Sequence, residues 1–325
     1  MTVLVTGAAG FIGFHLADRL LARGERVIGV DNFTPYCLPQ LKKDRVVELQ
    51  RRHGDAFTLL HVDFADHEAL DSELKPHVFE RIAHLGAQPG VRYSIENPRA
   101  YAHSNLTGHL NMLELARTRR VPMVYASSSS VYGGNEKLPF SEADRVDHPV
   151  SLYAATKKAD ELMSDSYAHL YRLPLTGLRF FTVYGPWGRP DMAPWIFTDA
   201  ILSGRPVRLF NNGEMRRDFT YVDDIVDGVI AALDRPPTDG GDRAPHAIYN
   251  LGNNRSEPLS RFVGLLEQAC GRTAIRELHP MQPGDVKDTY ADISAASAEL
   301  GFTPRVSLAE GLPRFVSWYR SYSRS

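Results

Sequence analysis

Cysteine, unbalanced charge and long apolar runs are all scarce in this chain. Cys37 and Cys270 are its two cysteines in 325 residues, too few for a disulfide framework and without the spacing of metal ligands. Lysine and arginine number 37 against 39 aspartates and glutamates, a formal net charge of −2. Such a balance lacks the basic excess that is typical of nucleic-acid binding. The composition therefore predicts no metal site, no nucleic-acid partner and a reducing compartment, the cytoplasm.

No stretch approaches the roughly 20 consecutive apolar residues that span a bilayer. Met1 leads directly into a short strand, without the basic segment and apolar core of a secretory signal. Internal repeats and low-complexity tracts are missing as well. We expect a soluble protein without a membrane partner, whose length fits one large domain or two coupled ones.

A strand, a glycine-rich turn, a helix and a second strand follow one another at the N-terminus. Residues 2–6 form an apolar run, and Gly7, Gly10 and Gly13 come directly after it. Three such glycines allow a tight turn, close approach of the backbone to a pyrophosphate, and close helix–strand packing. Asp31 ends the second strand, eighteen residues after Gly13, where a carboxylate would accept from both ribose hydroxyls and repel a 2′-phosphate. This order predicts an NAD site rather than an NADP site.

Strands and helices keep alternating up to residue 181. We predict strands at 57–62, 81–85, 121–127 and 175–181, and helices at 41–52, 101–117 and 151–171. The alternation predicts an α/β protein with a doubly wound parallel sheet, the Rossmann arrangement. Its ligands bind beyond the carboxyl ends of the strands. Asp63 ends one of them, and either faces the adenine or caps the helix that begins near Asp66.

The regular alternation of strands and helices ends at Pro186. Residues 187–194 are rich in proline and glycine and read as a binding loop. We expect short strands at 205–210 and 216–221, helices at 195–202, 259–270 and 308–322, and a mobile surface loop at 236–245. The predicted domains are a Rossmann domain at 1–182, to which 223–252 return, and a smaller C-terminal substrate-binding lobe at 183–222 and 253–325.

Tyr153 and Lys157 lie four residues apart on a predicted helix, and so on one helix face. A nearby ammonium favours the phenolate form of a tyrosine, which makes Tyr153 a candidate general base. The same spacing also fits a pair on a solvated helix face. Because the strand order brings this helix to the cofactor cleft, we favour catalysis.

These segments resemble the extended short-chain dehydrogenase/reductases that modify sugar nucleotides, over essentially the full length. The resemblance is carried by TGAAGFIG (6–13), SSSSVYG (127–133), YAATK (153–157), RFFTVYGP (179–186) and RDFTYVDD (217–224). Within that group the chain is most similar to the UDP-glucuronate 4-epimerases, through GVRYS (90–94), GPWGRPDM (185–192) and MQPGDV (281–286). The resemblance implies NAD as cofactor, a UDP-uronic acid as substrate and a homodimer.

The resemblance and the strand ends together give the expected site. We expect contacts to NAD from Gly7, Gly10, Phe11, Ile12, Gly13, Asp31, Asn32, Asp63, Phe64, Leu85, Ala87, Asn105, Ser127, Tyr153 and Lys157. We expect substrate contacts from Arg92, Ser128, Ser129, Thr182, Arg189, Arg217 and Asp285, of which the resemblance places Arg217 and Asp285 near the uridine ribose and diphosphate. As catalytic residues we expect Tyr153, Lys157 and Ser128, with Tyr153 acting directly or through Ser128.

The four consecutive serines at 127–130, the serine run, narrow the set of reactions that the resemblance allows. Dehydratases of this group carry Asp-Glu directly before Val-Tyr-Gly, and UDP-glucuronate decarboxylases carry a Glu there; this chain has Ser129 and Ser130. Serine does not titrate near pH 7, so it cannot serve as the extra acid or base that elimination needs. Thr182 and Gln282 replace the Asn and Arg typical of neutral-sugar 4-epimerases. These residues favour reversible oxidation at one carbon of an acidic sugar.

Several alternatives remain open at this point. A UDP-glucose 4-epimerase, an enzyme of dual specificity, and a non-enzymatic dinucleotide sensor all share much of the pattern, although a sensor would be expected to lack the Tyr/Lys pair. Arg189 either grips the substrate carboxylate or pairs with Asp191. His84 is expected in the core, and Trp187 and Trp195 either flank the substrate or pack structurally.

Overall fold

The computed structural model describes residues 1–36, 38–282 and 286–323. The strands within these ranges are β1 (Thr2–Thr6), β2 (Arg26–Val30), β3 (Phe57–Leu60), β4 (Arg81–His84), β5 (Met123–Ser128), β6 (Leu175–Phe180), β7 (Thr182–Tyr184), β8 (Pro206–Leu209), β9 (Arg216–Arg217), β10 (Phe219–Tyr221), β11 (His246–Leu251), β12 (Glu257–Pro258) and β13 (Ile275–Leu278). The α-helices are α1 (Phe11–Ala22), α2 (Pro39–His53), α3 (His67–Leu74), α4 (Tyr93–Glu96), α5 (Pro98–Tyr101), α6 (Gly108–Arg119), α7 (Leu152–Tyr171), α8 (Ala193–Ser203), α9 (Val222–Asp234), α10 (Leu259–Cys270) and α11 (Leu308–Tyr322).

Seven strands form one parallel sheet in the order β11-β6-β5-β4-β1-β2-β3. The predicted doubly wound α/β sheet is confirmed. Helices cover both faces of the sheet, and every residue of β6 is buried. The order reverses between β1 and β4, so a crevice opens beyond their carboxyl ends.

Alternate residues of β1 serve two different cores. Val3 and Val5 pack in the cluster that includes α1 and α9, whereas Leu4 packs in the cluster that includes α3 and α6. This period of two is what a strand buried on both faces requires. The helices thus grip the sheet from both sides and fix the positions of its strand ends.

The smaller lobe has its own core. It contains three two-stranded pairs, β7 with β10, β9 with β12, and β8 with β13, together with α8, α10 and α11. Phe219 and Phe262 stack in its centre with ring centroids 4.4 Å apart. Residues 291–302, which the predicted division assigns to this lobe, instead pack in the core of the large sheet. The domain limits themselves stay a prediction.

Two side chains of the large domain bind the loop after β7. The imidazole Nε2 of His15 lies 2.8 Å from the Pro186 carbonyl oxygen, and Arg45 donates to the Trp187 carbonyl at 2.6 Å. Arg45 also donates to the Ala9 carbonyl in the glycine turn at 2.9 Å. The loop of the small lobe is therefore tied to the turn at the start of α1.

The structure differs from the predicted elements in three places. The helix predicted at 101–117 is α5, a π-helical segment Ala102–Thr107 and α6 in succession. The strand predicted at 216–221 is interrupted at Asp218, whose buried carboxylate accepts from the backbone N–H groups of Asn253 at 2.6 Å and Ala291 at 3.1 Å. The strand β13 was not predicted. Long-range hydrogen bonds, which local patterns do not carry, decide the break at Asp218.

Residues 236–245 form a largely exposed loop without regular structure, and their mobility stays a prediction. Within the described ranges, no helix has the length and apolarity to cross a membrane.

Candidate active site

One cleft of about 1470 Å³ runs from the carboxyl ends of the sheet strands into the small lobe. Most of the predicted site residues line it: Gly7, Gly10, Phe11, Ile12, Gly13, Asp31, Asn32, Phe64, Leu85, Ala87, Arg92, Ser127, Ser128, Ser129, Tyr153, Lys157, Thr182, Arg189 and Arg217. Asp63 and Asn105 are not in its lining. Asp285 lies outside the described residues, so its predicted role stays a prediction.

The glycine turn is shaped to receive a pyrophosphate. A Cβ on Gly13 would lie 2.1 Å from the Gly7 carbonyl oxygen, and one on Gly10 would lie 2.8 Å from the same atom. Gly7 has a φ of +67°, which only glycine adopts readily. No side chain caps α1 at Gly10, so its first N–H groups face the cleft as an anion site. The residues present therefore fit a dinucleotide.

Asp31 lies at the predicted place but with a partner that the sequence did not reveal. Its buried carboxylate accepts from the Phe33 N–H at 2.9 Å, from the Ala9 N–H at 3.2 Å, and from the Lys42 ammonium at 3.0 Å. Lys42 also lines the cleft. Its charge offsets part of the repulsion that Asp31 alone would exert on a phosphate. A lysine near the start of a charged helix gave no signal of this pairing.

Of the two roles predicted for Asp63, the helix cap is wrong, and the contact with the adenine stays a prediction. Its carboxylate accepts from the Ala65 N–H at 2.8 Å and from the side-chain amide of Asn32 at 3.0 Å, and it pairs with His103 at 3.0 Å. The helix cap of α3 is Asp66, which accepts from the Ala69 N–H. Asp63 thus orients Asn32, which lines the cleft, instead of lining it.

Asn105 is a buried support for the cleft wall. Its side-chain oxygen accepts from the Gln88 N–H at 2.8 Å, and its amide donates to the Gln88 carbonyl at 3.1 Å and to the Thr156 hydroxyl at 3.0 Å. These bonds join the loop after β4 to α7. The π-helical segment that presents Asn105 is the kind of irregularity often found at functional sites.

The serine run is ordered by its own hydrogen bonds. The Ser128 oxygen accepts from the Ser130 hydroxyl at 2.9 Å and from the Ser130 N–H at 3.2 Å. With both lone pairs engaged, the Ser128 hydroxyl hydrogen is left to donate into the cleft. Ser127 lines the cleft, but its hydroxyl donates to Glu161 at 2.7 Å. The run therefore presents one oriented donor, Ser128.

Tyr153 and Lys157 both line the cleft from α7. Ser151 caps the N-terminus of this helix, because its side chain accepts from the Ala154 N–H at 3.1 Å. The Tyr153 ring meets Tyr101 edge to face with centroids 6.1 Å apart. The buried Lys157 ammonium donates to the Ala126 carbonyl at 2.9 Å and to Asp160 at 3.0 Å. Two of its three hydrogens are thus used, and one remains for a bound ligand.

A buried ion pair stands behind the serine run. Arg179 on β6 donates to Glu161 on α7 through Nε and Nη2, both at 2.8 Å, and also to the Tyr132 hydroxyl at 3.0 Å. Burial raises the pKa of Glu161, but the hydrogen bonds and charge of Arg179 outweigh it, so the net shift is downward. This pair fixes α7 against β5 and β6, and the sequence analysis did not identify it.

Arg189 pairs with Asp191, the alternative left open for it. Its Nε donates to Asp191 at 3.0 Å, and the Tyr36 hydroxyl donates to the same carboxylate at 2.8 Å. Tyr36 packs on Tyr93 with ring centroids 4.9 Å apart. The loop of the small lobe thus meets the loop after β2, which packs on α4, across the mouth of the cleft.

Three further predicted substrate contacts line the part of the cleft toward the small lobe. Arg92 lies over the Phe210 ring, 5.3 Å from its centroid, and so bridges the two lobes. Arg217 donates to the Lys287 carbonyl at 2.8 Å. Thr182 begins β7, next to the serine run. The sequence analysis missed Phe210, because a single aromatic residue after a short strand carries no signal of its own.

His84 and the tryptophans have structural surroundings. His84 is buried, its Nδ1 lies 2.7 Å from the Thr6 hydroxyl oxygen, and burial lowers its pKa to about 3. Trp187 and Trp195 both pack on Trp318, with ring centroids 5.5 Å apart in each case. Trp195 also lines the cleft. Among the described residues, no group of acids, histidines and cysteines is arranged to hold a metal ion.

Known proteins share this fold and much of the sequence. Residues 3–252 match the model of the NAD dependent epimerase/dehydratase family. A probable UDP-glucuronate 4-epimerase of Rhizobium meliloti is 49% identical, over 100% of this chain and 99% of its own. The crystal structure of a Bacillus cereus UDP-glucuronic acid 4-epimerase with UDP-glucuronic acid and NAD has a TM-score of 0.90, 32% identity and coverage of 99% of this chain and 100% of that one. A Thermotoga maritima UDP-glucose 4-epimerase with UDP-glucose gives a TM-score of 0.88, 31% identity and the same coverage.

Proposed function

Because the chain belongs to the NAD-dependent epimerase/dehydratase family, we propose that it acts as a UDP-glucuronate 4-epimerase, interconverting UDP-glucuronate and UDP-galacturonate. The Rhizobium meliloti relative and the Bacillus cereus neighbour carry the name of that activity. NAD, the predicted cofactor, is the cofactor of the family.

The observation that carries the proposal is the chemistry of the cleft wall at the end of β5. Ser128, Ser129 and Ser130 lie there together with Tyr153 and Lys157. Elimination of water would need a carboxylate beside the tyrosine, and at Ser129 and Ser130 the cleft presents hydroxyls instead. The site therefore supports oxidation and reduction at one carbon without elimination.

Tyr153 is the proposed general base. When bound, NAD accepts a hydride from C4 of the sugar and later returns it, so the cofactor is not consumed. The Tyr153 phenolate takes the proton of the C4 hydroxyl as the ketone forms, and returns it when the hydride comes back to the opposite face. The remaining hydrogen of the Lys157 ammonium is available to the cofactor ribose.

Ser128 is the proposed hydrogen-bond donor to the reacting oxygen. Ser130 occupies both acceptor positions of the Ser128 oxygen, which aims its hydrogen outward. Negative charge grows on the sugar oxygen as its proton leaves, and a donor fixed in advance stabilises that charge. Ser128 also offers a proton relay to Tyr153, the second of the two predicted routes.

The substrate carboxylate needs residues that bind it and fix its orientation. A 4-keto uronate is a β-keto acid and loses CO₂ when the breaking bond aligns with the carbonyl. We propose that Thr182 and Arg189 hold the carboxylate out of that alignment, with Arg92 assisting from the other side of the cleft. Because Asp191 engages Arg189 in the structure, the substrate carboxylate would have to displace Asp191 from the guanidinium.

A UDP-glucose 4-epimerase is the second candidate, since the Thermotoga maritima neighbour carries that name. Thr182 and Gln282 favour the acidic sugar, because they replace the Asn and Arg typical of the neutral-sugar enzymes. Initial rates with UDP-glucuronate and UDP-glucose at equal concentrations separate the two. A higher kcat/KM for UDP-glucose would make the second candidate the function.

We also infer a homodimer that works in the cytoplasm. Leu110 on α6 and Leu162 on α7 are 40% and 59% exposed, and Tyr167 bonds Glu114 at 2.6 Å to hold the two helices together. A paired helix face with such leucines is suited to a second copy of the chain. Sedimentation of the wild type and of a Leu110→Glu, Leu162→Glu double variant tests this, and equal masses would argue against the face.

A further inference from the structure

The Lys157 ammonium has a buried counter-charge on its own helix. Asp160, one turn along α7, is 1% exposed, and its Oδ2 lies 3.0 Å from the Lys157 Nζ. Its other oxygen, Oδ1, is buried without a hydrogen-bond partner among the described residues. Burying a carboxylate with one oxygen unpartnered costs free energy, and its ion pair with Lys157 offsets only part of that cost. This arrangement points to a role beyond packing.

The other groups around Asp160 do not share this role. Glu161, next along the helix, is engaged by Arg179 from β6 and by Ser127 from β5. His109 faces Asp160 from α6, and Tyr125 faces it from β5. Burial lowers the pKa of His109 well below its usual value, and burial raises that of Tyr125 well above its usual value.

His109 and Tyr125 are therefore uncharged near neutral pH. His84 on β4 also lies near Lys157, and burial keeps it neutral by lowering its pKa to about 3. Asp160 is thus the carboxylate paired with the lysine within the described structure.

An ammonium acts on a neighbouring phenol through its net field. A carboxylate at 3.0 Å turns the isolated charge of Lys157 into a close ion pair, whose field at Tyr153 is weaker. The contact with Asp160 and the hydrogen bond to the Ala126 carbonyl together fix the direction of the Lys157 side chain. Asp160 therefore influences both the position and the electrostatic strength of Lys157.

We propose that Asp160 is a positioning residue, which holds the Lys157 ammonium in place and sets the pH at which Tyr153 becomes the working base. This role rests on the proposed function of Tyr153, since it acts through the pair that Tyr153 and Lys157 form. Asp160 itself does not touch the reacting atoms.

The protonation state of Asp160 changes at a pH that a titration can cover. Burial raises its pKa to about 6, against the lowering effect of Lys157 and with a further raising effect of Glu161. Above that pH the carboxylate is charged and weakens the field of Lys157. Below it the carboxyl is neutral and the full charge of Lys157 acts on Tyr153.

The test is the ionisation of Tyr153 in wild type and Asp160→Asn. Tyrosinate absorbance near 295 nm is titrated for each protein and for the same protein carrying Tyr153→Phe, and the difference isolates Tyr153. Asparagine keeps the size and the acceptor but removes the charge, so we expect ionisation at a pH lower by roughly 0.5 to 1 unit. The acidic limb of kcat/KM for UDP-glucuronate should move by the same amount. Asp165→Asn, the same change at a 69% exposed site on α7, should move neither.

Asp160→Ser provides a second uncharged variant, smaller than the first and still able to accept from the lysine. A shift to lower pH in the two Asp160 variants supports the proposal. Titration curves that coincide with wild type, in variants with cooperative thermal unfolding, would overturn it and leave a packing role. Since the absorbance titration uses no sugar nucleotide, its result stands even if the proposed substrate proves wrong.

Discussion

The guanidinium of Arg189 faces the carboxylate of Asp191, with its Nε 3.0 Å from Oδ1, and the Tyr36 hydroxyl donates to the same carboxylate at 2.8 Å. An arginine that the proposed mechanism assigns to the substrate carboxylate is thus held by a carboxylate of the chain. The contact also joins the two lobes across the mouth of the cleft. We infer that Asp191 keeps Arg189 extended at the place where a uronate would arrive.

Arg189→Ala should lower the rate of epimerisation and allow a decarboxylated by-product to form. Losing a charge-assisted, two-pronged hydrogen bond costs about 1.5–3 kcal/mol, which predicts a roughly 10- to 100-fold fall in kcat/KM for UDP-glucuronate. CO₂ and a UDP-pentose should appear, because the carboxylate is free to align with the ketone. Arg189→Lys keeps the charge without the fork and should lie between. Unchanged turnover with no extra decarboxylation would remove Arg189 from the mechanism.

Tyr153→Phe should abolish most of the turnover while leaving the fold intact. A general base contributes about 10²- to 10⁴-fold, and phenylalanine keeps the edge-to-face contact with Tyr101. We expect NAD to stay bound, as measured by the cofactor released on denaturation. Tyr171→Phe, which removes a phenol from an exposed position on the same helix, is the matched control and should be fully active. A Tyr153→Phe enzyme within about threefold of wild type would assign the base elsewhere.

Ser128→Ala should lower kcat more than Ser130→Ala, and the difference tests the hydrogen bond between the two side chains. Removing the donor to the reacting oxygen should lower kcat about 10- to 100-fold with little change in KM. Ser130→Ala leaves that donor but removes one of the two bonds that orient it, so its loss should be smaller. Steady-state kinetics on both variants give the comparison. Equal losses would mean that the run acts as a unit rather than through Ser128.

Glu161→Gln should destabilise the fold strongly. It leaves Arg179 buried without its counter-charge, which typically costs 3–5 kcal/mol, measurable by urea unfolding. The net downward shift of the Glu161 pKa means that its contribution is present above the unfolded value near 4.3 and is lost as the pH falls through the folded value. The stability gap between wild type and variant should therefore narrow below about pH 4. Asp239→Asn, which breaks an exposed pair with Arg172, should lose far less.

Lys42→Met should weaken the binding of NAD to the apoenzyme. The ammonium lies 3.0 Å from Asp31 in the cleft, and without it the carboxylate repels the cofactor phosphates more strongly. An interaction of this kind at a partly exposed site predicts a roughly three- to tenfold rise in Kd, measured by calorimetry. Lys43→Met, at the exposed neighbouring position, is the control. Equal Kd values for the two variants would contradict a role for Lys42 at the cofactor.

The features predicted correctly from sequence share a local origin. Gly7, Gly10 and Gly13 follow a strand and open a helix, so their purpose can be read from neighbours in the chain. The strand ends meet at one edge because parallel strands with helical crossovers leave no other arrangement. The Tyr153–Lys157 spacing is set by the helix alone. Such patterns bring nearly all of the predicted residues to one cleft.

The rest depends on contacts between distant residues. Asp31 with Lys42, Glu161 with Arg179 and Asn105 with Gln88 join elements whose relative positions the sequence does not state. Asp63 shows the difficulty most clearly, because an acid after a strand has several possible partners and the fold supplied Asn32 and His103. The break at Asp218 has the same cause.

The most direct measurement is NMR of UDP-glucuronate incubated with the purified protein and no added NAD. We predict that UDP-galacturonate appears and approaches equilibrium without net formation of NADH, because tightly bound NAD is regenerated in each cycle. Formation of a UDP-pentose with release of CO₂ as the only products, or no turnover by protein that contains NAD, would contradict the proposed 4-epimerase.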